Sequence, residues 1–377
     1  MLFELGGKLN QKWSLLLGFA GLALFILVWW LLAEALSIDR PVVEGFDPRL
    51  PSSVISEDSS ATKINLDSIA RADSALFANA KEFVKVYPLL PAPGQVIKSY
   101  PPLIQNDALV KETGRSVWRN LQGYFWAIIV AIPLGFLVGL LPLFRGLLSK
   151  QVDALRYLPL TALTGLFILW FGIEDQMKVA FLAFGIIVYL LPVVVQRIDE
   201  VEDVYLKTVF TLGANSWQTI RSVYFPAVMS KLMDDIRVLT AISWTYIIIA
   251  ELLNRDGGIG SLIYIKARQG QVDRVFAILL VIILIGFIQD RLFVYMDRRF
   301  FPHKYYKVTL RGVKQVEYAI GALLLYLAVL FLLPVLGVSL ESLGSSLLYM
   351  SALVGVGCVS FILIGEFEIW QSLKKSR

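Results

Sequence analysis

Residues Lys207–Leu232 read KTVFTLGANSWQTIRSVYFPAVMSKL. The stretch is polar and amphipathic, yet it lies between two strongly apolar runs, Lys178–Val195 and Ile236–Leu253. Gly213 supplies the backbone freedom of a turn. Asn215 or Ser216 can cap the helix that follows. Ala214, Trp217, Ile220 and Val223 then place apolar groups on that helix at helical intervals, and Pro226 is expected to break it and redirect the chain. Two short helices joined by a turn, with an apolar face turned outward, mark an interaction site. A loop lying flat at an apolar boundary satisfies the same periodicity.

The composition says what the flanking runs are. The chain has 377 residues, is 57% hydrophobic and has a mean hydropathy of +0.67, outside the range of soluble domains. Several apolar runs reach the roughly 20 residues that cross about 30 Å of hydrocarbon as a helix, and none shows the short alternating pattern of a barrel strand. The fold class is therefore an all-α polytopic membrane protein. The basic balance, +5 with a pI near 9.1, follows from Lys and Arg clustering between apolar runs, and no basic stripe interleaved with aromatics points to nucleic acid. Cys358 lies inside an apolar run and reads as a small buried hydrophobe, and with His303 the sole histidine a Cys/His metal cluster is excluded within one chain. No catalytic residue and no metal site is expected.

Expected spans run over Trp13–Leu36, Val117–Leu141, Leu155–Gly172, Lys178–Val195, Ile236–Leu253, Val275–Tyr295, Val316–Leu336 and Leu347–Ile364. An even number of crossings puts both termini on one side. Arg145, Lys150 and Arg156, the loop cations from Arg197 to Arg237, the run from Arg298 to Lys314 and the Lys374-Lys375-Ser376-Arg377 tail place that side in the cytoplasm. The 254–274 loop breaks the pattern with Arg255, Lys266, Arg268 and Arg274, so its outer placement rests on alternation alone. Organisation follows: an N-terminal transmembrane helix over 1–38, an outer insert over 39–115, a core over 116–302 with the inner loop 196–236, and a two-helix extension over 303–377. Within the insert, apolar residues at helical spacing predict an amphipathic helix over Asp67–Tyr87. It either covers the bundle or offers a docking surface.

Glu251 stands near the end of a span, where a carboxylate is costly unless paired or wet. Arg255 is a partner within reach; a structural ion pair and a ligand contact both fit. Trp170, Trp244 and Tyr246 are candidates to line a path with Glu251, and packing or lipid-facing roles fit them equally. Gly257-Gly258-Ile259-Gly260 lacks a preceding strand and reads as a loop or gate turn.

From Leu89 to Pro302 the chain resembles the permease subunits of the nitrate/sulfonate/taurine/bicarbonate group of type I ATP-binding cassette importers. The resemblance is carried, in order, by Leu90-Pro91-Ala92-Pro93, by Ser116-Val117-Trp118-Arg119 with Gly123-Tyr124, by Ile132-Pro133-Leu134-Gly135 and by Leu169-Trp170-Phe171-Gly172-Ile173. Thr211-Leu212-Gly213-Ala214-Asn215, Ala250-Glu251-Leu252-Leu253, Gly258-Ile259-Gly260, Val275-Phe276-Ala277 and Gln289-Asp290-Arg291-Leu292 continue it. The Glu-Ala-Ala triplet usual before the glycine is replaced by Lys207-Thr208-Val209, and the insert and the two last spans lie outside the six-span pattern.

The resemblance implies a permease subunit that moves a small anionic solute by alternating access. The inner loop would be the coupling segment, with Gly213, Ala214, Trp217, Ile220, Val223 and Pro226 meeting a separate ATPase subunit. ATP and Mg belong to that partner, since this chain has no Gly-x-x-x-x-Gly-Lys-Ser/Thr run. The other implied partners are a second permease chain, as a homodimer, a periplasmic or lipid-anchored solute-binding protein, and membrane lipids. The location implied is a bacterial plasma (inner) membrane. Rival classes are an intramembrane enzyme, an ATP-independent channel or secondary transporter, and a non-transporting scaffold on a permease fold.

Overall fold

The computed structural model describes residues 10–41, 83–253, 256–305, 312–334 and 344–375. They form two compact units, one from residues 1–114 and 257–283, the other from 115–256 and 284–377.

In the first unit, α1 (Gln11–Ala35) is apolar on every face and almost wholly exposed, as a helix bathed in lipid should be. It is anchored near its end, where the Trp29 indole N–H donates to the Pro91 carbonyl at 3.0 Å and its ring packs on Phe276 at 6.2 Å. Two strands follow, β1 (Ile38–Pro41) and β2 (Phe83–Val86), paired antiparallel with Ile38 opposite Val86. The helix expected over Asp67–Tyr87 therefore does not extend to its predicted end. Phe83-Val84-Lys85-Val86 alternates and is rich in β-branched residues, and pairing with Ile38–Pro41 satisfies its backbone. The rest of that predicted helix lies outside the described residues.

The short helices α2 (Pro93–Lys98) and α3 (Tyr100–Gln105) each carry proline in the first turn, where a missing N–H costs nothing. The 254–274 region contains a helix, Ile259–Arg268, entered through Gly257 and Gly258, whose φ of +75° and +103° suits glycine. Two of its cations share one carboxylate: Asp107 takes Lys266 at 2.7 Å and Arg274 at 3.1 Å.

The second unit is a helical bundle. Its core forms where α4 (Leu109–Leu140, entering from the first unit), α7 (Asp175–Asp199) and α10 (Phe225–Leu253) meet, around Tyr124, Ala131, Leu182, Ile186, Leu190, Val194, Leu232 and Ile236. Glycines on α4 allow the close approach. A Cβ at Gly135 would come within 2.5 Å of Val194, one at Gly139 within 2.6 Å of Ile198, and Gly123 is pressed against Leu182 in the same way.

Seven described helices are long and apolar enough to cross a membrane, or eight if one bent pair counts as a span. That pair corrects the expected straight span over Leu155–Gly172. α5 (Pro142–Leu155) meets the segment Leu160–Phe171, which contains α6 (Thr164–Phe171), at 95°. Pro159 sits at the break and supplies no amide to continue the ladder.

The added helices α13 (Val313–Leu332) and α14 (Gly344–Lys375) pack on each other where Gly312 approaches Gly365, a Cβ on Gly312 falling 2.5 Å from the Gly365 carbonyl. The extension is tied to the bundle by Phe331 against Trp118 and Phe125, at 4.9 and 5.2 Å. It is tied again by Glu366, which accepts from Tyr295 and Arg299, each at 2.6 Å.

Candidate functional site

The Lys207–Leu232 stretch folds by local rules. Helix α8 (Asp203–Thr211) ends on Gly213, whose φ of +76° lets its N–H reach the Phe210 carbonyl while the Ala214 N–H reaches that of Val209, both at 3.0 Å. The next helix, α9 (Ser216–Thr219), opens with a reciprocal capping box. Asn215 Oδ1 accepts from the Gln218 N–H at 2.8 Å, and Gln218 Oε1 accepts from the Asn215 N–H at 2.9 Å. Of the two cap candidates the structure uses Asn215.

Pro226 does not break the helix. A π turn over Ile220–Tyr224 widens the backbone just before it, absorbs the ring and the missing amide, and Ser216–Leu253 continues as one helix. Trp217 is 70% exposed and Gly213 is exposed, whereas Ala214, Ile220, Val223 and Pro226 are half-buried. Sequence reasoning missed Val204, Tyr205, Phe210 and Leu212, large apolar residues that stand exposed on and just after α8. Their signal was present, since no apolar residue of α8 is buried once the helix is drawn.

The base of this segment is ionic. Arg197 donates to both oxygens of Asp235 at 2.7 and 2.8 Å and to Glu200 at 2.8 Å, Lys231 reaches Glu200 at 3.1 Å, and Arg145 pairs with Asp199. Arg197 and then Lys231 hold the Glu200 carboxyl below the usual carboxylate range.

A second cluster occupies the other end of α10. Glu251 is 0% exposed, which would be prohibitive without partners. The Ser116 hydroxyl lies 2.7 and 2.8 Å from its two oxygens, and Arg119 Nη1 donates to Oε1 at 2.9 Å. Arg119, itself 3% exposed, uses Nη2 to reach Asp175 at 2.5 Å and the Asp256 carbonyl at 3.2 Å. Lys178, 0% exposed, reaches the same Asp175 and the same carbonyl, both at 3.3 Å. One turn deeper, Asn120 donates to Ser243 at 3.0 Å and Tyr124 to the Ile236 carbonyl at 3.0 Å. The partner expected for Glu251 was Arg255, which lies outside the described residues; the partner found is Arg119. The signal that pointed there was depth: Ser116 and Arg119 enter α4 as Glu251 leaves α10, so the charges are level. Two motifs of the sequence resemblance, Ser116–Arg119 and Ala250–Glu251, thus bind one another.

The four residues expected to line a path are not gathered on one surface. Trp244 is buried with its indole N–H on Gln289 at 3.0 Å. Tyr246 packs edge-on to Phe181 at 6.4 Å. Trp170 is exposed on α6, its ring 5.8 Å from Phe167, and Glu251 is sealed in the charge cluster.

The chain is similar to known proteins over this same region. Residues 131–302 match the family described as binding-protein-dependent transport system inner membrane component. A putative ABC transporter permease protein of Methanocaldococcus jannaschii is 29% identical over 55% of this chain and 78% of its own length. The taurine transport system permease protein of Escherichia coli is 25% identical over 56% of this chain and 79% of its own. A putative aliphatic sulfonates transport permease protein of Bacillus subtilis is 26% identical over 56% and 76%. The described residues form an all-helical, multi-pass membrane protein, and through residues 131–302 the chain is similar to the inner membrane components of binding-protein-dependent transport systems.

Proposed function

We propose that this permease carries a small anionic solute, of the sulfonate or oxyanion kind, by alternating access, and that separate ATPase subunits drive it by docking on Asp203–Tyr224. The exposed Trp217, with Phe210 and Leu212 beside it on a segment whose backbone is already capped at both helix ends, carries this reading. Apolar surface held rigid in this way is ready for a partner without further folding cost. ATP and Mg would reside on the ATPase. A second copy of the chain would complete the path, a periplasmic or lipid-anchored solute-binding protein would deliver the solute, and both termini would lie in the cytoplasm. The relatives' names, taurine and aliphatic sulfonates, favour an anion. ATP would act by favouring one of two global states, which requires the ATPase to grip the segment differently in each.

The test is co-purification of the tagged chain from native membranes in mild detergent. A stoichiometric ATPase is expected with the wild type and is expected to be lost with Trp217→Asp, while the variant stays folded in the membrane. Retention of the ATPase by Trp217→Asp, or its absence from the folded wild type, overturns the docking assignment.

A further inference from the structure

Two buried cations, Arg119 and Lys178, converge on one carboxylate that is itself largely exposed: the Asp175 side chain is 59% accessible, against 3% and 0% for its partners. The arrangement is lopsided. Glu251 is fixed from three sides by Ser116, Arg119 and complete burial. Asp175 sits at the first position of α7, on the rim of the cluster. Arg119 holds one of its oxygens at 2.5 Å, and Lys178 reaches that same oxygen only at 3.3 Å, the long end of a charged hydrogen bond. Rotation of one short side chain would leave Arg119 Nη2 and Lys178 Nζ facing the space Asp175 now fills, with net positive charge behind it.

We propose that Asp175 is an internal stand-in for the transported anion, and that the Arg119–Lys178 pair is an anion-binding site opened when Asp175 swings out. The ligand class is a small oxyanion or sulfonate, whose oxygens would replace the Asp175 carboxylate on the two cations. The proposal rests on the anionic-solute reading above. It also gives the cluster a directional property. Without solute, Asp175 neutralises the site and keeps it closed; with solute, charge balance is kept while the α7 end is released.

Calorimetric titration of the purified full chain in gluconate buffer, in detergent free of anionic lipid, tests this with sodium methanesulfonate as probe and acetamide as the neutral control. The wild type binds weakly because the open site is a minor state. Removing the competitor in Asp175→Asn should raise methanesulfonate affinity about tenfold, as expected if the site is open roughly a tenth of the time. Lys178→Met added to Asp175→Asn should abolish that gain. A merely structural Asp175 predicts the opposite sign, a weaker or unchanged affinity in Asp175→Asn, and that result overturns the proposal. If Asp175→Asn melts in gluconate, rescue by methanesulfonate and not by acetamide supports the site, and no rescue overturns it. Binding that requires added phosphatidylglycerol would assign the cations to a lipid headgroup and overturn the solute role. No ATPase is present in the titration, so its outcome is separate from that of the co-purification.

Discussion

Trp217 and Glu251 lie on one continuous helix, Ser216–Leu253, and their surroundings differ in every respect. Glu251 is sealed, charged and bonded to partners far away in sequence. Trp217 is open and uncharged, and every device that shapes its neighbourhood lies within a few residues of it. At about 1.5 Å per residue the two ends stand roughly 50 Å apart along the helix, with the π turn at Ile220–Tyr224 near the Trp217 end. The difference teaches how a single rod can be fixed at one end and available at the other. The buried end is held by tertiary ion pairs, so the exposed end needs only local caps.

Breaking the buried end should have the largest effect. Arg119→Ala takes from Glu251 the cation bonded to its Oε1, and removing one member of a buried pair costs about 3–5 kcal/mol. The variant should melt well below the wild type in detergent, and Glu251→Ala should cost less, because Arg119 keeps Asp175 and the Asp256 carbonyl. The double variant Arg119→Met with Glu251→Leu should recover most of the loss, because an apolar replacement leaves no charge stranded. A single variant that melts like the wild type would mean that Glu251 has a further charged partner.

The contrast also explains what could be read from the chain alone. The Gly213 turn and the Asn215 cap were legible because each depends on residues a few positions apart, whereas of the four apolar residues placed on the outward face only Trp217 is exposed. Span existence was legible for the same reason, since a long apolar run needs no partner to be recognised. The Arg119–Glu251 pair joins residues 132 positions apart, which no local pattern signals, and Arg255, the partner named from the sequence, lies outside the described residues. The Asp107 pairs with Lys266 and Arg274 were likewise out of reach, joining residues about 160 positions apart. Proline was read correctly in kind and incorrectly in place. Pro159 sits at a sharp bend that was not expected, and Pro226, expected to break a helix, is accommodated by a π turn.

Disturbing the exposed end should cost less and stay local. Asn215→Ala removes an N-cap, a change of about 1 kcal/mol. Amide exchange should quicken over Ser216–Tyr224 and at the Gly213 turn, while the Leu182–Ile236 core remains as protected as in the wild type. Gln218→Ala removes the other bond of the same capping box, and because the two bonds shape one turn the double variant should quicken exchange by less than the product of the single effects. Loss of protection throughout the core on Asn215→Ala would show that the two ends of the helix are not independent.

The smallest effect belongs to the ionic base beneath the exposed end, and its sign is set by Glu200. Arg197 and Lys231 lower its carboxyl below the ordinary value of 4.5, so the folded state binds the proton less readily than the unfolded chain. The stabilisation is therefore complete at pH values above about 4.5 and disappears as pH falls through the lowered value. Asp235 shares Arg197 with Glu200, and Asp199 pairs with Arg145, so Glu200 is one member of a larger ionic base. Glu200→Gln isolates the difference. Its melting temperature should lie slightly below the wild type at neutral pH, and the gap should close as the pH falls below about 4.5. Because the carboxylate is a third exposed, salt at a few hundred millimolar should narrow the same gap. A gap that persists unchanged however far the pH falls below 4.5 would locate the Glu200 contribution in packing of its side chain, and would leave Arg197–Asp235 and Arg145–Asp199 as the ionic braces of the segment.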